Sequence, residues 1–303
     1  VFGMTNNRGG MESVVKNFFT YMDKDKFHLD FVCTREGDIG FREDFDRLSK
    51  EPVQYYSVPR RRKHPILYKK TLEKIFKEGN YDAIWINALM IVNLGNMKMA
   101  KKYGVKKIIL HSHYSNPVAK KFSNHVHNIT KNFIHHYATD FWSCSDGATD
   151  WMFPKKIHDR VEWIRNAIDV EKFLFNEEKR NKLRKEFSIS DDEFIIGNVA
   201  RLDYQKNQEF ILEVFAELVK KQDNTRLFLV GGGDKTNLEI QATELGISDK
   251  VEFLGERSDV PDLCNMFDFF LFPSRFEGLP VSLVEVQTNG IPTLVSDVIT
   301  KQV

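Results

Sequence analysis

One stretch of the sequence, FFLFPSRFEGLPVSLVEVQTNG, limits the possible folds more than any other. Its apolar run from Phe269 to Phe272 predicts a buried strand, and a polar loop follows that run. A helix is predicted to open at Pro280 and to close at Gly290, because proline favours the first turn of a helix and glycine its end. A buried strand that leads through a short loop into a helix is the repeating unit of a parallel sheet, in which ligands bind where strands end.

Two carboxylates stand at this strand end, Glu277 in the loop and Glu285 eight positions later on the helix. The N–H groups and the positive dipole end of the helix suit a phosphate. Ionised carboxylates suit sugar hydroxyls, because they accept hydrogen bonds from a vicinal diol. A nucleotide sugar offers both kinds of group. An isolated pair of acids at this spacing is more often an ordinary surface feature, so the interpretation depends on the rest of the chain.

The alternation of strand and helix patterns predicts an α/β protein with a doubly wound parallel sheet in each half. A length of 303 residues is enough for two such domains. Strands are predicted at 28–34, 53–58, 82–87, 107–112, 141–145, 194–200, 226–230, 251–254, 269–272 and 293–296. Helices are predicted at 11–22, 41–49, 65–78, 92–103, 119–137, 207–221, 236–245, 259–267 and 280–290.

The boundary between the two domains is predicted near Arg165. Residues 163–165 are interpreted as the last strand of the first domain, 1–165, and a turn then begins the second domain, 166–303. Residues 166 to about 190, which include the highly charged segment 176–185, are predicted to cross between the domains. Because residues 1–3 resemble the tail of a strand and the chain stops soon after strand 293–296, we expect a partly missing first strand and missing C-terminal helices.

The formal net charge of +1 hides an asymmetry between the two halves. Residues 1–165 hold 28 Lys and Arg against 18 Asp and Glu, whereas the remaining residues hold 16 against 25. A basic first half is compatible with an anionic acceptor, a membrane surface or nucleic acid, and equally with a surface that is merely solvated. The run Arg60-Arg61-Arg62-Lys63 lies between predicted elements and raises the hypothesis of contact with an anionic membrane.

Three cysteines, Cys33, Cys144 and Cys264, lie far apart and lack metal-ligand spacing. They are predicted to be reduced thiols in the core of a protein of the cytosol. No apolar run approaches the roughly 20 residues that span a bilayer, and no signal peptide is visible. The sequence therefore predicts a cytoplasmic protein whose membrane contact, if it has any, is peripheral and on the inner face of the cell membrane.

Polar residues of the first half cluster at predicted strand ends. The loop GMTNNRGG ends in Gly9 and Gly10, which permit close backbone approach at the start of a helix and suit a phosphate or substrate group. His111 and His113 lie two residues apart at the end of a strand, so both imidazoles can point to one side. A metal site would need a third ligand that no spacing supplies. A hydrogen bond from His113 to a sugar hydroxyl and a structural role at the strand end are the alternatives.

The loops of the second half carry cations and glycines. Arg201 and Lys206 flank the turn RLDYQK after strand 194–200. The planar fork of arginine and the compact charge of lysine suit the oxygens of a diphosphate at this rim. Gly231, Gly232 and Gly233 follow the next strand and let the backbone approach a nucleotide, although surface loops rich in glycine are common.

Taken together, these blocks resemble the family of retaining nucleotide-sugar glycosyltransferases numbered four (glycosyl transferases group 1), of the type found in polysaccharide biosynthesis. The resemblance covers nearly the whole chain. Its last block, FEGLPVSLVE at 276–285, is similar to the family's signature of two glutamates separated by seven residues. The other blocks are the glycine pair 9–10, the strand-end His113, RNAID at 165–169, ARLDYQKN at 200–207, VGGGD at 230–234 and FLGERSDV at 253–260.

One departure from the family pattern lies in the turn at 165–169. That turn usually reads N-G-I-D in the family, and here Ala167 replaces the glycine. A left-handed backbone at an alanine is strained, so we expect the turn to differ.

The resemblance implies the GT-B architecture, in which two Rossmann-like doubly wound domains face each other across a cleft. It implies that the first domain is the acceptor side and that the second binds the nucleotide sugar. The implied reaction moves a hexose from a UDP- or GDP-sugar to a glycan or polyprenyl-linked acceptor with retention of configuration. The resemblance implies no metal, no other cofactor and no nucleic acid partner.

The resemblance also implies which residues carry out this reaction. Arg201 and Lys206 would hold the donor diphosphate and stabilise the charge that develops as it leaves, so no metal is needed. Glu277 would bind the donor sugar, and His113 would contact that sugar near its anomeric centre. No residue is an obvious covalent nucleophile, so the leaving phosphate is expected to help deprotonate the acceptor on the same face of the sugar.

Other residues are implied to bind the donor without reacting. Glu285 would bind the ribose of the nucleotide. Gly9 and Gly10 would lie beside phosphate or acceptor. The backbone amides near Glu277, at Gly278 and Leu279, would contact the donor sugar. Gly231 and Gly232, which follow strand 226–230, would complete the donor site.

Two other functions stay open at this point. One is a nucleotide-sugar epimerase with the same two-domain fold, and the other is a non-catalytic protein that binds a nucleotide sugar. An NAD dehydrogenase is disfavoured, because the G-x-G-x-x-G fingerprint and its ribose-binding acid are both absent.

Overall fold

The computed structural model contains two parallel sheets, one in each half of the chain. It describes residues 1–33, 39–115 and 121–302. Backbone contacts divide the chain into a first unit, Val1–Asn166 with Gln302, and a second unit, Ala167–Lys301. The division therefore falls one residue after the predicted boundary. Thr34, at the end of one predicted strand, and residues 119–120, at the start of one predicted helix, lie outside the described residues.

The first unit alternates short strands and helices. Its strands are β1 (Phe31–Cys33), β2 (Tyr55–Ser57), β3 (Ala83–Ala88), β4 (Lys107–Ser112), β5 (Asp140–Ser143) and β6 (Val161–Trp163). Its helices are α1 (Gly10–Tyr21), α2 (Arg42–Leu48), α3 (Pro65–Gly79), α4 (Gly95–Lys102), α5 (Lys121–Thr130) and α6 (Asp146–Met152), with 3-10 helices at Lys131–His136 and Lys155–Arg160.

Phe2 joins the strands of the first unit into one sheet. It forms parallel bridges to Val32 of β1 and to Ile86 of β3, and its backbone N–H donates to the carbonyl of Trp85 at 2.7 Å. The strand order is therefore β2, β1, Phe2, β3, β4, β5, β6, all parallel. Residues 1–3, which resemble the tail of a strand in the sequence, thus lie in the middle of this sheet, where Phe2 forms the bridges.

The chain changes direction in this sheet between Phe2 and β3. From Phe2 the sheet grows to one side through β1 and β2, and from β3 it grows to the other. Helix α1 packs Val15 and Phe19 in one apolar cluster, whereas α3 and α4 contribute to a different cluster with Phe2. Because the connections leave on opposite faces, a crevice opens between these two strand ends, which is where doubly wound sheets bind ligands.

The second unit has the same organisation. Its strands are β7 (Phe194–Val199), β8 (Thr225–Val230), β9 (Val251–Gly255), β10 (Phe269–Phe272) and β11 (Thr293–Val295). Its helices are α7 (Val170–Phe173), α8 (Glu177–Glu186), α9 (Gln208–Val219), α10 (Thr236–Glu244), α11 (Val260–Cys264) and α12 (Val281–Asn289), with a 3-10 helix at Ser248–Lys250.

The parallel order β11, β10, β7, β8, β9 places the change of direction between β7 and β10. Helix α9 packs Ile211 and Phe215 into one apolar cluster, and α12 packs Leu283 and Val286 into the other. Successive residues of β7, Ile195 and Ile196, divide between the same two clusters because side chains alternate across a strand. The predicted fold class, two doubly wound Rossmann-like units, is confirmed.

Several predicted elements differ from those observed, and the helix predicted at 119–137 ends as an α-helix at Thr130 and continues as a 3-10 helix. The last strand of the first unit covers 161–163 and not 163–165, because Val161 and Trp163 pair with Phe141 and Ser143 of β5. The segment predicted as a crossing contains helix α8, which sequence periodicity misses because its surface is almost wholly charged. Its inner side is held by Arg184, which is buried and donates to the carbonyls of Ser190 and Glu193 at 2.6 and 2.7 Å.

Helix boundaries also show local differences. Pro280 is the N-cap of α12, one position before the helix, and Gly290 ends it in the left-handed conformation as predicted. Helix α6 was not predicted; Ser145 caps it by accepting from the N–H of Ala148 at 3.3 Å. In the turn at 165–169, Ala167 is not among the described non-glycine residues with positive φ. The turn therefore accommodates alanine without left-handed strain.

The surface and the cysteines agree with the sequence. The turn Arg60–Lys63 is exposed, and all three cysteines are free and buried. Across the described ranges, none of the helices is both long and apolar enough to cross a bilayer.

Candidate functional site

The two loops that follow β7 and β10 are tied together by side chains. Gln205 donates to the carbonyl of Phe276 at 3.0 Å, and Asn207 donates to the carbonyl of Pro273 at 3.1 Å. In return, the backbone N–H of Arg275 donates to the carbonyl of Gln205 at 2.8 Å. The loops 200–207 and 273–280 therefore form one structure at the change of direction of the second sheet.

An ion pair closes this structure. Lys206 Nζ lies 2.6 Å from Glu277 Oε1, and the side chains are only 15% and 7% exposed. The ammonium also lies 5.2 Å from the ring centre of Phe272, where the negative face of the ring attracts it. A buried pair of this kind is kept in place by the cost of leaving either charge alone in the protein. Since an ammonium has three N–H groups, Lys206 can contact Glu277 and an anion together.

Arg201 takes a different position from Lys206. Its side chain is 55% exposed, and its guanidinium pairs locally with Asp203 at 3.1 Å. Its backbone carbonyl accepts from the side chain of Gln208 at 2.8 Å, which fixes the start of the loop against α9. The guanidinium is thus an exposed cation on a fixed backbone, accessible to an incoming anion.

The glycine triplet after β8 approaches this loop. A Cβ on Gly231, where φ is 152°, would lie 1.9 Å from the carbonyl oxygen of Ala200. Gly233, with φ 138°, bridges Leu202, whose backbone N–H donates to the carbonyl of Gly232 at 2.9 Å. The close approach that the glycines permit is therefore to the backbone at 200–202. A contact of Gly231 and Gly232 with a nucleotide stays a prediction.

Helix α12 holds the second acid of the signature. Glu277 precedes this helix. Gly278 and Leu279 lie between Glu277 and the helix, and both are buried. Glu285 lies on the helix and is half-buried, but its carboxyl group is largely surrounded by protein. Burial raises the pKa of Glu285 to about 7. The pKa of Cys264 is raised by burial and by the nearby charge of Glu285, which places that carboxyl group beside α11.

The first unit holds His113 in a separate hydrogen-bonded group. His113 Nε2 lies 2.7 Å from Asn87 Oδ1, and Asn87 Nδ2 donates to the carbonyl of Phe2 at 3.3 Å. The amide orientation makes Nε2 the donor, so Nδ1 is the bare acceptor. Within the described part of the chain, that buried Nδ1 has no hydrogen-bond partner. In this arrangement Nδ1 is the atom that His113 has left to accept a hydrogen bond, and its contact with a donor sugar stays a prediction.

His111 and His113 lie on the same side of the sheet, as their spacing predicts. Their ring centres are 4.0 Å apart, and Trp85 Nε1 lies 3.3 Å from His111 Nδ1. Burial lowers the pKa of His111 to about 3 and that of His113 well below its usual value, with the neighbouring His111 adding to the effect on His113. Both rings are therefore neutral at pH 7. Within residues 1–33, 39–115 and 121–302, no three His, Cys, Asp or Glu side chains form a metal-binding group.

Gly9 and Gly10 begin α1, with Gly9 as its N-cap. The buried carboxylate of Glu12 already lies in the first turn of this helix. Glu12 Oε1 accepts from the hydroxyl of Thr5 at 2.7 Å and from the backbone N–H of Thr5 at 3.2 Å. A Cβ on Gly9 would lie 3.0 Å from the other oxygen of Glu12. Because like charges repel, this helix end suits an uncharged group better than a phosphate. Contact with phosphate there stays a prediction.

Some residues of these two groups were not singled out in the sequence. Asn87 orients His113, and Gln205 and Asn207 connect the loops of the second unit. Asn87 could have been found as a polar residue at the end of an apolar strand, in register with His111. The partners of Gln205 and Asn207 are carbonyl oxygens, which no sequence pattern marks.

Known families match both halves of the chain. A model of the family described as Glycosyltransferase Family 4 matches residues 8–172. A model of the family described as Glycosyl transferases group 1 matches residues 179–301. Each match covers most of one structural unit.

Individual proteins match over nearly the full length. EpsF of Bacillus subtilis (strain 168), classed as a glycosyltransferase without a stated substrate, is 30% identical over 98% of this chain and 78% of that protein. The UDP-Gal:alpha-D-GlcNAc-diphosphoundecaprenol alpha-1,3-galactosyltransferase of Escherichia coli is 23% identical over 95% of this chain and 76% of that protein. The crystal structure of Anabaena HepE in complex with UDP and glucose has a TM-score of 0.79 at 17% identity, over 98% of this chain and 80% of that one.

The raised pKa of Glu285 predicts a dependence of stability on pH. Between the ordinary glutamate pKa of 4.5 and about 7, the folded chain binds the proton more tightly than the unfolded chain. The tighter binding of this proton stabilises the folded chain. The stabilisation is fully present below pH 4.5 and is lost as pH rises through 7. Relative to Glu285→Gln, the wild type should therefore lose about 2 kcal/mol between pH 5 and pH 8, a value reduced for partial exposure.

Urea unfolding of both proteins at these pH values measures this difference. Glu217→Gln is the matched control, because the Glu217 side chain is 70% exposed and should show no such change. Equal pH dependence in the wild type and Glu285→Gln would show that Glu285 titrates as an ordinary surface acid.

Proposed function

The chain belongs to glycosyltransferase family 4, and from that membership we propose that it is a retaining hexosyltransferase that uses a UDP- or GDP-sugar. The observation that carries the proposal is the buried pair of Lys206 and Glu277 at the change of direction of the second sheet. This position combines a cation for a diphosphate with a carboxylate for sugar hydroxyls. The likeness to a structure that contains UDP and glucose supports the same class of donor.

The donor is assigned to the loops of the second unit. Lys206 and Arg201 bind the diphosphate, Glu277 binds hydroxyls of the hexose, and Glu285 binds those of the ribose. The backbone at Gly278 and Leu279 contacts the sugar. Since Glu277 keeps Lys206 in place before the donor arrives, the cation needs little rearrangement when the leaving charge develops, and this preorganisation lowers the barrier.

The reaction replaces one bond at the anomeric carbon by another on the same face. The bond from that carbon to the diphosphate oxygen breaks, and its electron pair leaves with the diphosphate. The acceptor oxygen forms the new bond, and its proton passes to the leaving phosphate oxygen. Lys206 and Arg201 stabilise the negative charge without a metal. His113 is assigned to the donor sugar, where its bare Nδ1 accepts a hydrogen bond from a hydroxyl.

The acceptor is proposed to be a glycan or a polyprenyl-linked sugar in the biosynthesis of a cell-surface polysaccharide or exopolysaccharide. The Escherichia coli relative is named for an acceptor of this kind. A second part of the proposal concerns the exposed turn Arg60–Lys63. It is followed in α3 by two exposed aliphatic side chains, Ile66 at 73% and Leu67 at 55%. Basic and apolar groups side by side suit the inner, anionic leaflet of a membrane, where a lipid-linked acceptor is found.

Arg201→Ala provides the clean test of the diphosphate site. Removing one group that stabilises the leaving charge should lower kcat/KM about 100-fold. Because Arg201 is exposed, the free energy of unfolding should change by less than about 0.5 kcal/mol. Lys206→Ala should lose turnover as well, but it should also cost about 3 kcal/mol in stability, because Glu277 is left buried without its partner.

The measurement is release of UDP or GDP from a panel of nucleotide sugars and acceptors, with melting followed in parallel. Lys220→Ala, which removes an exposed cation of the same unit, is the control and should keep full turnover. Near-normal turnover of Arg201→Ala would refute its role. Conversion of the donor sugar without any acceptor would instead identify an epimerase.

Retention and metal independence are tested on the same reaction. The coupling constant of the anomeric proton of the product should match that of the donor, because attack occurs on the face that the diphosphate leaves. Turnover should be unchanged in excess EDTA. An inverted product, or activity that EDTA abolishes and Mg²⁺ or Mn²⁺ restores, would contradict the mechanism.

Membrane contact is tested with vesicles that contain anionic lipid. Replacing all four residues of Arg60–Lys63 by serine should weaken co-sedimentation at least about 100-fold, since each basic residue near such a surface contributes about 1 kcal/mol. The control replaces Lys98, Lys101, Lys106 and Lys107 by serine, which removes the same charge elsewhere on the first unit. Equal loss in both variants would show that only net charge matters, and no loss in either would remove the membrane from the proposal.

A further inference from the structure

A pocket of about 230 Å³ opens at the change of direction of the first sheet. It lies over the ends of Phe2 and β3 and is bounded on one side by the loop Leu89–Asn93 and the start of α4. Gly3 forms part of its floor, where φ is 99° and a Cβ would lie 2.1 Å from the carbonyl oxygen of Asn87. Asn87, which also lines the pocket, accepts from His113, so the pocket begins one side chain away from that histidine.

The pocket is lined by uncharged residues. Most are apolar, including Phe2, Ile91 and Met97, and two large apolar side chains of the rim, Leu89 and Val92, are 46% and 44% exposed. Among the described residues that line it, there is no lysine, arginine, aspartate or glutamate. A phosphate or carboxylate would be desolvated there without a partner, so the pocket suits an uncharged group.

The side-chain groups that Asn93 and Asn96 leave without a partner are hydrogen-bond donors. Asn93 Oδ1 already accepts from the backbone N–H of Gly95 at 2.9 Å, and Asn96 Oδ1 accepts from the hydroxyl of Tyr68 at 2.5 Å. Each amide therefore has its Nδ2 group left over, and among the described residues neither Nδ2 has a partner. A ligand that satisfies them must bring an acceptor oxygen.

One wall of the pocket is held in place from behind. Trp151 Nε1 donates to the carbonyl of Leu89 at 2.8 Å, and the backbone N–H of Ile91 donates to His127 Nδ1 at 3.0 Å. The ring centres of His127 and Trp151 lie 4.3 Å apart, and His127 Nε2 lies 3.0 Å from the carbonyl oxygen of Trp151. The loop Leu89–Asn93 is thus fixed before any ligand arrives, which lowers the entropy that binding must overcome.

We propose that this pocket binds the N-acyl group of an acceptor amino sugar, an inference that rests on the proposed transferase function. An N-acyl group joins a carbonyl oxygen, which needs a donor, to an alkyl group, which needs an apolar wall. The pocket supplies Asn93 and Asn96 for the first and aliphatic side chains for the second. Its volume exceeds the roughly 150 Å³ of a cavity that takes a benzene ring, so part of the sugar ring can enter with the acyl group.

Calorimetric titration of the full chain with three glycosides tests the proposal. The probes are octyl N-acetyl-β-glucosaminide, octyl β-glucoside and octyl β-glucosaminide with its free amine. The N-acetyl compound should bind at least about tenfold more tightly than both others, because only it satisfies the amide donors and fills the apolar wall. Equal binding of all three would overturn the proposal. Tighter binding of a dioctanoylglycerol than of the N-acetyl compound would also overturn it, in favour of an acyl lipid.

Asn96→Asp and Asn93→Asp locate the effect. Each change keeps the oxygen that accepts from Tyr68 or Gly95 and replaces the donor by a second acceptor. Both should weaken binding of the N-acetyl compound at least about tenfold more than they weaken binding of the glucoside. Asn96 lies in the first turn of α4, where an aspartate suits the helix dipole, so the fold should persist. Exposed Asn80→Asp of the same unit is the control and should bind as the wild type does.

Binding of UDP- and GDP-sugars to the same samples separates this inference from the proposed function. Donor binding without any preference for the N-acetyl group would overturn the pocket assignment alone. Preference for the N-acetyl group without binding of any nucleotide sugar would instead retain the pocket and overturn the transferase function.

Discussion

The ion pair of Lys206 and Glu277 depends on a property of parallel sheets. Strands β7 and β10 are neighbours, yet the helices that follow them pack into different apolar clusters on opposite faces. The chain therefore leaves the two strand ends towards opposite faces, and a crevice forms between them. The two loops meet at this crevice, where hydrogen bonds tie them together. A cation and a carboxylate that are 71 residues apart in sequence come to lie 2.6 Å apart in this way. Every residue assigned to the donor in the second unit lies on these loops, beside them or on α12.

The first unit applies the same constraint to different chemistry. Its change of direction lies between Phe2 and β3, and the polar groups there include amides, neutral histidines and the buried Glu12, which accepts from Thr5. Burial accounts for the neutrality, because a charged imidazole would lose its hydration. A neutral pocket next to His113 and a charged site on the second unit suit the two kinds of substrate that a glycosyltransferase must handle. In the proposed reaction the nucleotide sugar is held by its diphosphate, and the acceptor sugar is recognised by uncharged groups.

Several glycines and one asparagine affect the candidate site by fixing the course of the backbone around it. Gly231 lets the loop after β8 approach the carbonyl of Ala200, and Gly3 lets the chain pass close to Asn87. Asn87 then connects Phe2 to His113 through its two amide atoms. Such residues do not need to touch a substrate in order to affect it. They determine where the neighbouring side chains lie, and they store little strain because glycine adopts positive φ freely.

The sequence by itself determined the fold class, most of the strands and helices, and the family, because apolar periodicity and local signatures depend on residues that are near each other in the chain. It also identified Lys206, Glu277 and His113 as candidates. Only the tertiary structure decided that Lys206 and Glu277 pair with each other, that Arg201 stays exposed, and that His113 presents an acceptor atom. These properties, like helix α8 held by the buried Arg184, arise from contacts between distant segments. No local pattern encodes them, since burial and hydrogen-bond partners exist only after the chain has folded.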